Sequence, residues 1–249
     1  EQWDKVIAYT RMVLNSPYFT LTSMGEVQAA KWDISSASWL WGYDITQETT
    51  THWNSFYSNI DNTNPISYAG GGAFKSIYSL LYAHIAPSDV RRNLYINRTE
   101  APTIARRYPQ LPDYANLKYV TDTRFLGDYC FLRLEDPLLL YIEALVEKRE
   151  LSRAQNTLTY FMQNFRDPSY TPTATDQAAL REEVRWQRRI ELWGEGTSFF
   201  DFKRWGLGAN RTQTGSNHVY AIDVPAGDRR WVYQIPISEI EANPNMVQN

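Results

Sequence analysis

The chain predicts a mainly α-helical fold with long loops and a few short strands. Three observations carry this. Apolar residues recur at helical spacing in several separate stretches, long polar intervals rich in Pro, Gly, Ser, Thr and Asn divide them, and strict alternation is confined to short runs. At 249 residues there is material for one large domain or two small ones with a sizeable core.

In chain order, a first helix is expected from about Gln2 to Leu14, on the stripe Trp3, Val6, Ile7, Val13 and Leu14, stopping before Pro17. Tyr18 to Leu21 read as a short extended piece. Residues 22–70 have little periodicity, but Trp39, Trp41 and Tyr43 alternate with Leu40, Gly42 and Asp44, which suits a strand with one aromatic face. Gly70, Gly71 and Gly72 break the chain, and a helix is expected over 73–85 on Phe74, Ile77, Tyr78, Leu81 and Ile85, closed by Pro87. Residues 88–130 read as irregular structure with short strands.

Asp136-Pro137 reads as an N-cap followed by proline at the first helical position, opening a helix to about Lys148. Ser152 with Gln155 suggests a capping box ahead of the stripe Ala154, Leu158, Phe161, Met162 and Phe165. These two helices form a hairpin like one tetratricopeptide unit, with no second copy at a fixed period. A third long helix is expected from Asp176 to Trp193, ended by Gly194 and Gly196, and a shorter one over 198–205. Trp231 to Pro236 read as a strand in a loop-rich tail.

Composition narrows the function. The net charge of −3 gives no reason to bind nucleic acid or an anionic membrane surface. The single cysteine, Cys130, has no partner for an intramolecular disulfide and reads as a small apolar packing residue. The longest apolar run, Leu138 to Ile142, is too short to span a bilayer. The three histidines, His52, His84 and His218, are far apart and lack metal-ligand spacing, so neither a metal nor a cofactor is expected. Aromatic residues, by contrast, make up 14% of the chain, many in polar stretches. Their flat apolar faces suit an uncharged polar ligand such as a sugar.

The candidate binding surface lies within residues 32–68, and the candidate ligand-binding residues are Trp32, Trp41, Trp53, Tyr57 and Tyr68. Indole and phenol faces can stack on pyranose rings while neighbouring amides and carboxylates hydrogen-bond hydroxyls. Trp39, Trp41 and Tyr43 have inward packing as their simplest alternative. For Trp53 and Tyr57, exposure and burial both stay open. Asp33, Asp44, Glu48 and Asp61 beside these rings leave a glycoside hydrolase as a rival reading. A helical-repeat adaptor binding protein through residues 137–166 is another.

Five segments carry a family resemblance. They are the run Arg188-Arg189-Ile190-Glu191-Leu192-Trp193-Gly194 through Phe199-Phe200-Asp201-Phe202-Lys203-Arg204-Trp205-Gly206, the step Asn15 to Leu21, Phe131-Leu132-Arg133-Leu134-Glu135-Asp136-Pro137 through Ala144, the helix Ala154 to Arg166, and the closing Tyr233-Gln234-Ile235-Pro236 through Asn245. In order and spacing the chain resembles the C-terminal half of SusD/RagB proteins, surface nutrient-binding lipoproteins of Bacteroidetes outer membranes. It departs from that pattern at Gln187, Ile142 and Ser198.

The resemblance implies one SusD-like C-terminal domain over 1–249, with a loop-rich ligand-binding part at 22–130, a helical part at 131–206 and a tail at 207–249. It implies non-catalytic capture of an extracellular nutrient, an oligosaccharide or alternatively a peptide, for uptake through a SusC-like TonB-dependent transporter. The lipid anchor is expected on an N-terminal half that has no counterpart here, as if the chain were cut from something longer. Within the signature, the pairs Glu182–Arg185 and Arg188–Glu191 are expected on helix faces, and Glu195 and Asp201 are expected to bond nearby Arg188, Arg189, Lys203 and Arg204, fixing the angle between the two helices. Asp89 with Arg91 is expected as a local ion pair.

Overall fold

The computed structural model describes residues 2–248 and is mainly helical. It divides into two compact units, Glu1–Glu195 and Gly196–Asn249.

The first unit opens with α1, Trp3–Leu14, and the short α2, Met24–Gln28, whose Ser23–Glu26 capping box satisfies two end groups reciprocally. Strand β1, Trp39–Tyr43, follows, then a 3-10 turn at His52–Asn54 and the short helices α3, Phe56–Ile60, α4, Ser79–Tyr82, and α5, Pro102–Arg107. Strand β2, Tyr129–Arg133, pairs antiparallel with β1. The long helices α6, Glu135–Glu147, α7, Leu151–Phe165, and α8, Gln177–Glu191, complete the unit.

Helix α6 is the central element. Its Leu138, Leu139, Ile142, Leu145 and Val146 share one core with Ala154, Leu158, Phe161 and Met162 of α7 and with Leu180 and Val184 of α8. Residues 148–150 link α6 to α7, and Arg149 turns the chain with φ of 62°. A second core gathers the loop-rich part, with Val27, Trp32, Tyr57, Ile77, Leu81, Ile85, Tyr95, Tyr119 and Phe125 packed around Ile190.

Three helix expectations in the first unit are corrected. The helix over 73–85 shrinks to α4, because residues 75–77 are extended: Ser76 bridges Ala115, Ile77 N–H donates to the Tyr114 carbonyl, and the Lys75 carbonyl accepts from the Asn62 and Asn116 amides. Ile77, Leu81 and Ile85 are buried as their spacing suggested, but on a backbone that is mostly not helical. Asp136 and Pro137 lie inside α6 and its N-cap is Leu134; Asp136 instead accepts from Arg188 at 2.5 Å. Ser152 lies inside α7, which has no side-chain cap, and Gln155 donates to the Ala174 carbonyl at 2.8 Å. The helix expected to start near Asp176 is α8, and Asp176 caps it by accepting from Ala179 N–H at 2.9 Å.

In the second unit, α9, Thr197–Trp205, lies between Gly196 and Gly206, both in the left-handed region that glycine tolerates. A two-residue ladder joins β3, Ala209–Asn210, to β4, Asp223–Val224, and α10 spans Ile237–Ala242. Trp231 ends a 3-10 turn rather than starting a strand. The Asp228 carboxylate accepts from Arg230 N–H, and the Trp231 indole donates to the Pro225 carbonyl at 2.9 Å, which curls the segment. Phe199 and Phe202 of α9 pack on the Trp231 ring at 5.7 and 6.1 Å.

Candidate functional site

Aromatic rings collect on an exposed surface of the first unit. On the ladder, Trp41 is 65% exposed and Phe131 is 52% exposed, with ring centres 5.2 Å apart. Two opposite register shifts flank this pair: Trp39 faces Arg133, Trp41 faces Leu132 and Gly42 faces Cys130, so Leu40 and Phe131 fall outside the register. Such bulges re-aim side chains, which places Phe131 beside Trp41. Gly42 is required for the close approach, since a Cβ there would meet the Trp39 ring at 2.1 Å and the Tyr129 carbonyl at 2.3 Å.

A second pair forms on separate segments. Trp53, on the 3-10 turn, meets Tyr68 edge to face at 4.9 Å, and each is about half exposed. Phe56, at the start of α3, is also exposed and contacts the Tyr129 ring at 5.8 Å. Ring edges against ring faces leave flat apolar surfaces presented to solvent in fixed orientations.

Two of the five sequence candidates are core residues. Trp32 is 7% exposed; its indole N–H donates to the Lys118 carbonyl at 2.7 Å, and its ring faces the cations of Arg133 and Lys118 at 4.9 and 5.0 Å. Tyr57 is 5% exposed, packed edge to face on Tyr119, and burial followed by the charges of Asp128 and Asp61 pushes its phenol well up. The bordering Gly127 has no room for a side chain, because a Cβ would lie 2.3 Å from the Tyr57 ring. Trp41, Trp53 and Tyr68 are exposed. The inward packing expected for Trp41 and Tyr43 is not found, whereas Trp39 is partly buried. Phe131 escapes the sequence reading because its neighbours fit a helical family segment. The signal for it is the alternation Tyr129, Phe131, Arg133, which is that of a strand.

The carboxylates among these rings serve local structure. Asp61 is buried and accepts from the Thr63 hydroxyl and from Thr63 and Thr121 N–H groups; burial raises its carboxyl despite these bonds. Asp128 bonds Ile34 and Ile45 N–H groups, and Asp33 bonds Ser35. Asp44 and Glu48 are exposed. Among the described residues, no group of three or more His, Cys, Asp or Glu side chains is arranged to hold a metal ion, and no helix is long and apolar enough to cross a membrane.

The same unit holds a buried ionic frame. Four cations, Arg91, Lys118, Arg133 and Arg166, meet four carboxylates, Asp89, Glu135, Glu191 and Glu195. The signature residues Glu191 and Glu195 thus bond distant partners. Glu191 takes Arg91, Arg133 and Arg166 rather than Arg188, and Glu195 takes Lys118 at 2.6 Å and Arg133 at 2.9 Å. Gln187 takes part through its side-chain carbonyl, which accepts from Arg91 at 2.6 Å. The expected Glu182–Arg185 and Asp89–Arg91 pairs form, both at 2.6 Å, and Asp201 bonds Arg204 on α9 at 2.9 Å. Burial opposes ionisation of Glu191, but the guanidinium groups around it prevail and hold its carboxyl well below the usual range.

No curated protein matches the chain. Among solved structures, a SusD-like carbohydrate-binding protein from Bacteroides vulgatus is 20% identical with a TM-score of 0.76, aligned over 98% of this chain and 55% of its own. A SusD superfamily protein from Bacteroides thetaiotaomicron is 22% identical with a TM-score of 0.74, over 100% and 56%. Surface glycan-binding protein A of Bacteroides thetaiotaomicron is 16% identical with a TM-score of 0.67, over 100% and 59%. The chain therefore spans a little over half the length of the solved structures it matches, and at these identities the likeness establishes the fold. The SusD family model matches residues 97–249, more than half of the sequence, and includes Arg133, Arg166, Glu191 and Glu195 of the buried frame. The chain belongs to the SusD family.

Proposed function

We propose that the protein captures an oligosaccharide at the bacterial outer membrane without chemically altering it, for uptake through a SusC-like TonB-dependent transporter. The observation that carries this reading is the exposed pairing of Trp41 with Phe131 and of Trp53 with Tyr68. Rings held by neighbouring rings lose little freedom when a sugar stacks on them, so more of the contact energy appears as affinity. Two similar structures are described as carbohydrate- or glycan-binding proteins, which supports the same ligand class. Within this reading the family's cell-surface lipoprotein setting applies to the whole protein, with capture in this half.

The carboxylates also favour binding over hydrolysis. Glycosidases use two acids flanking one bond, whereas Asp33, Asp61 and Asp128 are engaged by backbone N–H groups. Calorimetric titration against a panel of neutral polysaccharides, acidic polysaccharides and peptides tests the proposal. A neutral polysaccharide is expected to bind, and Trp41→Ala with Trp53→Ala is expected to abolish the signal while the sugar is recovered intact. A silent panel, unchanged binding by the double variant, or cleaved sugar would overturn it.

A further inference from the structure

The two exposed aromatic pairs sit on different pieces of chain, yet one residue touches both neighbourhoods. Tyr129 lies in β2, opposite Tyr43 of β1. Its ring is 6.5 Å from Phe131 on one side and 5.8 Å from Phe56 on the other. Its hydroxyl oxygen accepts the Phe56 N–H at 3.0 Å. That amide is the first of helix α3 and has no partner within the helix, while the Ser55 cap is occupied by Ser58 N–H. The bond therefore ties the start of α3, and the turn carrying Trp53 just before it, to the ladder carrying Trp41 and Phe131.

We infer that Tyr129 is a positioning residue that joins the two aromatic pairs into one elongated platform, which selects neutral oligosaccharides longer than a disaccharide. The inference rests on the binding role proposed above. Trp41, Phe131, Tyr129 and Phe56 follow one another in steps of 5.2 to 6.5 Å, and Trp53 precedes Phe56 by three residues, so a sugar that contacts both pairs has to reach beyond either one. Exposed Asp44 and Glu48, on the segment leaving β1, disfavour a polyanionic chain.

The test is Tyr129→Phe, which keeps the ring and removes only the acceptor. Hydrogen exchange at Phe56 is read first, then calorimetry with cellobiose, cellohexaose, maltose and maltohexaose. Exchange at Phe56 is expected to rise. Affinity for the hexasaccharide that binds is expected to fall about two- to tenfold, the range of one hydrogen bond, with the matching disaccharide unchanged. Unchanged exchange at Phe56, or equal losses for short and long sugars, overturns the inference and leaves the binding role standing. A wild-type chain silent toward all four sugars overturns the inference, while the wider panel decides the binding role separately.

Discussion

Arg166 grips both oxygens of the Glu191 carboxylate, Nε to Oε2 at 2.8 Å and Nη2 to Oε1 at 2.8 Å. The same guanidinium donates to the Thr22 carbonyl and hydroxyl, the Phe165 carbonyl and Glu135, and its side chain is fully buried. One side chain at the end of α7 thus connects the loop before α2, the start of α6 and the end of α8. The Glu135 carboxylate is less evenly served: Arg133 lies 3.0 Å from its second oxygen, off the line of a hydrogen bond.

Removing one member of such a frame strands the others without water. Arg166→Met is expected to destabilise the first unit by about 3–5 kcal/mol, because buried carboxylates lose a partner they need. Asp4→Asn, which breaks the exposed pair with Lys148, is expected to cost less than about 1 kcal/mol. Urea unfolding of both variants measures the contrast. Similar midpoints for the two would show that the frame contributes no more than a surface pair.

Stability should depend on pH in one direction. Glu191 and Glu195 are held low against the opposing effect of burial, by Arg166 and Arg133 for the first and by Arg133 and Lys118 for the second. Their stabilisation is present above the unfolded carboxylate value of about 4.3 and is lost as pH falls toward the folded values. Lys118 is pushed down by burial, partly offset by Glu195. Between its folded and unfolded values the unfolded chain binds more protons, so it too adds stability as pH rises. Urea midpoints are expected to hold near neutrality and fall steeply below about pH 4, with a shallower fall in Glu195→Gln. A wild-type midpoint unchanged into strong acid contradicts this.

Gly42 is expected to be intolerant of a methyl group. In Gly42→Ala the new carbon must displace the Trp39 indole and the Tyr129 carbonyl, and the second is backbone. A cost of about 1–3 kcal/mol follows from such overpacking, together with weaker sugar binding, since Trp41 and Phe131 stand on the same ladder. Gly25→Ala is the control. Its nearest neighbour would be the Ser23 hydroxyl at 4.0 Å, and a helical position in α2 gains up to about 1 kcal/mol from alanine. Thermal melts of the two variants should move in opposite directions.

Legibility in the sequence follows the range of the interactions. The stripes Leu138 to Val146 and Ala154 to Phe165, and the start of α8 near Asp176, are local, and residue spacing alone marks them as helical. The helix expected over 73–85 fails because Asn62 and Asn116 capture the Lys75 carbonyl from elsewhere in the chain. Trp32 and Trp53 look alike in composition of their surroundings. What separates them is the Lys118 carbonyl, 86 residues from Trp32, which accepts its indole proton inside the core. The partners of Glu191 are equally hidden from local spacing, since Arg91, Arg133 and Arg166 converge on it only in three dimensions.

Cys130 supplies a reporter for the ladder. Burial pushes its thiol up to about 12, with the charge of Glu195 adding to the effect and Arg133 opposing it. Its sulfur lies 3.7 Å from the Leu132 carbonyl, and its cross-strand partner is Gly42. An ordinary thiol near 8.5 is substantially ionised at pH 8, so the native thiolate population is lower by roughly three orders of magnitude. Alkylation by iodoacetamide at pH 8 should therefore proceed mainly through transient opening of the β1–β2 pair. Slow labelling in buffer, fast labelling in urea, and intermediate rates in Gly42→Ala are expected. Native labelling as fast as that of the unfolded chain would mean that Cys130 is open to solvent and that the ladder beneath Trp41 and Phe131 is not a firm support for them.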